Sequence, residues 1–172
     1  MTVLALNGSP SASSKTRALA QLALDAAGGG RLVDLSVLDA EALLGRRDDP
    51  EIADVLVAVA GADLLVVATP IYRATYTALT KTVFDLLDQD ALRGTVVVPI
   101  ATGAGSSHRL AVDHGLRPLV ASLAGWTTPT GVYATRDDFT DDGRPGPAIA
   151  ALVRQAVDEA LAVVRARVPD RQ

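Results

Sequence analysis

Asp63-Leu64-Leu65-Val66-Val67-Ala68-Thr69 is apolar without a break from Leu64 to Ala68. A strand with one wet face alternates apolar and polar residues; one packed on both faces does not. This run therefore reads as the central strand of a parallel sheet with helices on both sides. Upstream, Pro50 opens a helical pattern with Ile52, Val55, Leu56 and Val59 on one face, closed by Gly61. Downstream, Tyr76, Leu79, Thr80, Val83, Phe84 and Leu87 recur at helical spacing, and Thr95–Ala101 is another apolar strand.

The alternation continues outward in both directions. Thr2–Leu6 is a strand, Ser14–Ala27 a helix ended by Gly28-Gly29-Gly30, and Arg31–Leu35 a short strand. Val37–Leu44 has no settled period and reads at most as a helical turn, and Arg46–Pro50 is a polar surface connection. Arg109–Leu123 has a helical pattern interrupted by Gly115 and Pro118, which predicts a kink or an early break. Trp126–Tyr133 is a fifth strand; Pro129 inside it predicts an edge strand or two pieces. Asp137–Pro147 is an acidic loop, and the last helix carries Ile149, Leu152, Val153, Ala156, Val157, Ala160, Leu161 and Val164 on one stripe. Val168–Gln172 reads as a frayed end. Five strands alternating with helices define an α/β fold. The expected architecture is a flavodoxin-like, five-stranded parallel sheet of order 2-1-3-4-5 with helices on both faces, in one domain covering residues 1–172.

Composition narrows the function classes. A chain of 172 residues without cysteine has no disulfides and no thiolate metal site. No histidine or carboxylate spacing suggests another metal site. A net charge of −4 argues against a nucleic-acid surface. No apolar run approaches the roughly 18 residues of a membrane span, and the N-terminus lacks a cationic signal region. The expected location is the cytoplasm.

In open α/β sheets, ligands bind beyond the carboxyl ends of the strands at the switch point. Three small, polar loops meet that condition, on strands that are neighbours in the expected order. The first, Asn7-Gly8-Ser9-Pro10-Ser11-Ala12-Ser13-Ser14-Lys15-Thr16-Arg17, is rich in hydroxyls, ends on cations and leads into a helix. Helix N-terminal N–H groups and hydroxyls form an anion cradle. The loop lacks the second glycine of a P-loop and sets Lys15-Thr16 one position late, and it has only one glycine of the dinucleotide fingerprint. Its bland alternative is a turn with a helix cap. Asp34, at the end of the second strand, reads as a solvated carboxylate. The second loop, Thr69–Thr75, offers Pro70 and Tyr72 to flank a flat ring. The third, Thr102–Ser107, offers Gly103 and Gly105, where backbone can approach a planar ligand closely. Trp126 is expected in the core or an interface, and Asp113-His114 as a surface pair. No catalytic triad or carboxylate dyad is present.

Taken in order, Gly8-Ser9-Pro10 with its serines, Ala68-Thr69-Pro70-Ile71-Tyr72, Leu79-Thr80-Lys81-Thr82, Leu86-Leu87-Asp88, Ala101-Thr102-Gly103 and His108-Arg109-Leu110-Ala111-Val112-Asp113 resemble the NADPH-dependent FMN reductases. Within them the chain is similar to the reductase component of two-component alkanesulfonate monooxygenases. The resemblance implies an enzyme that passes hydride from NADPH or NADH to N5 of FMN without an obligatory side-chain acid or base. The reduced flavin would then pass to a partner monooxygenase. By position, Ser9, Ser11, Ser14, Thr16 and Arg17 would hold the FMN phosphate. Pro70, Ile71 and Tyr72 would line the isoalloxazine, and Thr102, Gly103 and Ala104 would face its pyrimidine side. The resemblance also implies a homodimer or homotetramer packed through the helices after strands three and four. In the sulfonate-linked members a tyrosine sits in a distorted, flavin-exchange helix at that interface; His114 stands at its position here. Arg73, Arg109 and Arg144 are candidates for a 2′-phosphate contact. The other readings are an NAD(P)H quinone or azo reductase with retained FMN and, in another class, a flavodoxin-type electron carrier, which the long serine loop disfavours.

Overall fold

The central run forms β3 (Leu64–Pro70), buried at every position. Parallel neighbours flank it: β1 (Val3–Asn7) on one side and β4 (Val96–Thr102) on the other. β2 (Arg31–Asp34) lies outside β1. The fifth position is shared by two short strands. β5 (Trp126–Thr127) pairs with the start of β4, and β6 (Val132–Ala134) pairs with its end. Residues 128–131, with Pro129 among them, separate the two pieces. The order is therefore 2-1-3-4-5 with six strands in five positions. This computed structural model describes residues 1–11 and 13–167; the expectation for the tail, 168–172, lies outside them.

Residues of β3 alternate between two cores, which is why the strand has no polar face. Leu64, Val66 and Ala68 pack with α1 (Lys15–Ala26) and α6 (Pro147–Arg167), among Leu19, Ala23, Val153 and Val157. Leu65 and Val67 face the opposite layer. That layer holds α2 (Ala40–Leu43), α3 (Pro50–Ala60), α4 (Ala78–Leu86) and α5 (Arg117–Ala121), with Val55, Val83, Phe84 and Val120 in its core.

The interruption expected before α5 is a π-helical turn, Val112–Leu116. It absorbs the register change ahead of Pro118, which sits where the π-helical turn passes into α5. One expectation narrows. Trp126 is 60 % exposed on the short edge strand, with the Arg167 guanidinium 4.3 Å from its ring centre, so it is not a core residue. Asp113 and His114 are both exposed, as a surface pair, and Asp113 forms an ion pair with Arg117 at 2.8 Å.

Candidate active site

The carboxyl ends of β1, β3 and β4 end side by side, so their loops adjoin. Loop one is shaped by its own side chains. The Ser9 N–H donates to Asn7 Oδ1 at 3.2 Å, and the Ser11 N–H donates to Ser9 Oγ at 3.2 Å. Ser14 is the N-cap of α1, its Oγ accepting the Arg17 N–H at 3.1 Å. The first turn of α1 holds no acidic residue, so its partial positive charge is not neutralised. Thr16 is buried, and its hydroxyl meets that of Thr102 at 2.7 Å, tying α1 to the end of β4.

Asp34 differs from its sequence reading. It accepts from Asn7 Nδ2 at 2.8 Å and from Arg17 Nε at 3.0 Å, so it is a bridging carboxylate rather than a solvated strand end. Parallel pairing puts Asp34 directly beside Asn7, which the one-dimensional pattern cannot reveal. Among the described residues the terminal nitrogens of Arg17 have no partner.

Loop two turns sharply after β3. Tyr72 and Thr75 exchange backbone hydrogen bonds at 3.0 and 3.3 Å, and Arg73 and Ala74 between them both adopt positive φ, +51° and +71°. Such a turn holds two non-glycine residues in the left-handed region, a strained arrangement typical of functional loops. Pro70 and Ile71 are buried beneath it, whereas Tyr72 is 55 % exposed on the rim. Loop three is fixed from below. The Ile71 N–H donates to the Thr102 carbonyl at 2.7 Å, and Tyr133 Oη donates to the Gly105 carbonyl at 2.7 Å. Burial pushes the Tyr133 phenol pKa up, which keeps that proton on the donor. A β-carbon at Gly103 would overlap the Tyr133 hydroxyl, so this backbone approach requires glycine.

Between loops two and three lies a cleft of about 370 Å³, lined by Pro70, Ile71, Tyr72, Thr102, Gly103 and Ala104. Ser14 and Arg17 lie at the cap and first turn of α1, Ser9 and Ser11 are joined by a hydrogen bond in the loop before it, and Lys15 from that first turn reaches the cleft wall. His114 is exposed in the π-helical turn, outside the cleft, sharing a shallow depression with His108 and Thr75. Arg144 pairs with Asp142 at 2.8 Å, whereas Arg136 lines the cleft.

Sequence reasoning missed one wall. Ala134, Thr135, Arg136 and Phe139 close the cleft on the side of α1. Lys15 Nζ donates to the Arg136 carbonyl at 3.3 Å and lies 4.8 Å from the Phe139 ring centre. One of only two phenylalanines, set in an acidic loop, was the available signal. Among the described residues no cluster of three His, Asp or Glu residues could hold a metal, and no helix is long and apolar enough to cross a membrane.

An open parallel α/β sheet of order 2-1-3-4-5, with a helix N-terminus free of acid in its first turn and a cleft at the strand ends, defines a flavodoxin-like protein. The family model described as NADPH-dependent FMN reductase matches residues 1–140, and the chain belongs to that family. It is 39 % identical over 168 residues to the NADH-dependent FMN reductase SfnF of Pseudomonas fluorescens, covering 93 % of this chain and 90 % of that protein. It is 36 % identical over 166 residues to an FMN reductase (NADPH) of Pseudomonas aeruginosa, covering 92 % and 89 %. Among solved structures, the apo form of the NADH:FMN oxidoreductase EMOB superposes with a TM-score of 0.85 at 34 % identity, over 94 % of this chain and 89 % of that one. The protein is an oxidoreductase, an FMN reductase using NAD(P)H.

Proposed function

We propose that this reductase binds FMN in the crevice just described and releases the reduced flavin to a partner monooxygenase of sulfonate or sulfur metabolism in the cytoplasm. The reading is carried by one observation: the N-terminus of α1 has a hydroxyl cap and no acid in its first turn, and it adjoins the cleft. Ser9, Ser11, Ser14 and Arg17 hold the phosphate. Thr16 contributes its backbone, because its side chain is buried against Thr102. Asp34 orients Arg17 through Nε. Pro70, Ile71 and Tyr72 bear on one side of the isoalloxazine, and Thr102, Gly103 and Ala104 on its pyrimidine side. Bound FMN supplies the hydride acceptor; the chain's residues bind, orient and shield the ring, and none serves as an obligatory acid or base. The protein works as a homodimer or homotetramer, with the π-helical turn carrying His114 at the contact where flavin exchange is set.

Anaerobic mixing with FMN and NADPH, followed by gel filtration, tests the release. Flavin should bleach and then elute apart from the protein. Flavin that bleaches but stays with the protein would favour a quinone or azo reductase with retained FMN. Arg17→Ala should raise the FMN dissociation constant roughly tenfold while sparing riboflavin. Equal loss for both ligands would contradict the phosphate assignment.

A further inference from the structure

The N-cap of α4 is wired into the anion loop. Thr69, Thr77 and Thr80 are all buried, and their hydroxyl oxygens lie 3.0 to 3.4 Å apart. Each hydroxyl has one proton to give. Thr80 gives its proton to Thr69 at 3.0 Å, and Thr69 gives its own to the Pro70 carbonyl at 3.2 Å. Thr77 gives its proton to the carbonyl of Gly8 at 2.7 Å, across 69 residues of sequence, and accepts the Thr80 N–H at 3.3 Å as the cap of α4. The Gly8 carbonyl and the Ser9 N–H belong to one planar peptide unit. Its other end is held as well, because that N–H donates to Asn7 Oδ1 at 3.2 Å. Asn7 continues to Asp34 at 2.8 Å, and Asp34 to Arg17 at 3.0 Å. One connected set of hydrogen bonds therefore runs from the first turn of α4, through the Gly8–Ser9 peptide, to the cation of the anion loop. The packing is close enough that a β-carbon on Gly8 would overlap the Thr80 hydroxyl.

We infer that Thr77 is a positioning residue for the phosphate loop: its hydroxyl fixes the plane of the Gly8–Ser9 peptide and so couples the placement of α4 to phosphate affinity. The inference rests on the reading that this loop holds the FMN phosphate. Loss of the hydroxyl strands a buried carbonyl, and the peptide regains a partner only by turning out of its present plane. Ser9 Oγ, which receives the Ser11 N–H, moves with it.

The test is flavin titration by fluorescence quenching of the full-length protein, with FMN and riboflavin in parallel and thermal unfolding as a control. Thr77→Val should lower the FMN-over-riboflavin affinity ratio roughly tenfold. Thr77→Ser, which keeps the hydroxyl, should restore the ratio to within about twofold. A purely structural role would lower both affinities together, or the melting temperature alone, and would leave the ratio in place. A wild-type preference for FMN that Thr77→Val retains overturns the inference and leaves the phosphate reading standing. Equal wild-type affinity for the two flavins removes that reading and the inference with it. Should Thr77→Val fail to fold, Thr77→Ala decides. It removes the same donor to the Gly8 carbonyl without adding an apolar branch. A fall in the ratio of roughly threefold supports the inference, and an unchanged ratio overturns it.

Discussion

Helices α1 and α3 each lead back to the start of the next strand, yet their first turns carry opposite chemistry. α3 is capped by Asp49, whose carboxylate accepts the N–H groups of Glu51 and Ile52 at 2.9 and 3.2 Å, and Glu51 adds a second acid. Its positive end is neutralised by the chain itself. α1 is capped by the neutral Ser14, has no acid in its first turn, and has Arg17 close by. The hollow at the start of α3 is larger, about 590 Å³ against 370 Å³ for the cleft, but Asp48 and Asp49 line it. Size therefore does not mark the site. An anion is favoured where a helix dipole has been left uncompensated, and a flat ring where a glycine lets backbone come close.

The sharpest way to break the contrast is to deform the α1 side. Gly8→Ala forces a β-carbon against Thr80 and should destabilise the fold by about 2 kcal/mol, with the largest loss of FMN affinity of these substitutions. Adding Thr80→Ala should recover part of the melting temperature, and a double variant no better than the single one would place the strain elsewhere. A subtler change gives α1 the cap of α3. Asp caps as well as Ser, so Ser14→Asp should leave thermal stability within about 0.5 kcal/mol. A carboxylate facing the phosphate should still raise the FMN dissociation constant roughly tenfold and leave riboflavin unmoved. The reverse exchange has the smallest effect. Asp49→Ser should move stability by less than about 0.5 kcal/mol and leave both flavin affinities unchanged. A shift in FMN binding from Asp49→Ser would show that the two helix ends are not independent.

Much of this molecule was legible one residue at a time. The unbroken apolar run at residues 64–68 predicts a strand between two layers, and β3 indeed feeds both cores. Pro129 predicts a broken edge strand, and the chain leaves β4 between β5 and β6 at that point. Gly115 and Pro118 predict an interrupted helix, which became a π-helical turn. The three loops were found because small polar residues follow strands, a signal confined to a few consecutive positions. The wall formed by Arg136 and Phe139 was not, because it approaches Lys15 from 121 residues further along the chain. The role of Asp34 was likewise hidden, since a carboxylate at a strand end looks the same in sequence whether water or Arg17 faces it.

Local pattern was enough for the order of helices and strands, the parallel sheet and the loops that gather at its carboxyl end, because side-chain periodicity and turn chemistry act over a few residues. It was also enough to mark a hydroxyl-rich loop after β1. Folding alone settled what the buried hydroxyls in and beside it bond to. Thr16 spends its own on Thr102 and Thr77 spends its own on Gly8, partners 86 and 69 residues away. A buried hydroxyl must find a hydrogen-bond partner wherever the sheet brings one within reach, and strand order, not sequence spacing, sets what lies within reach.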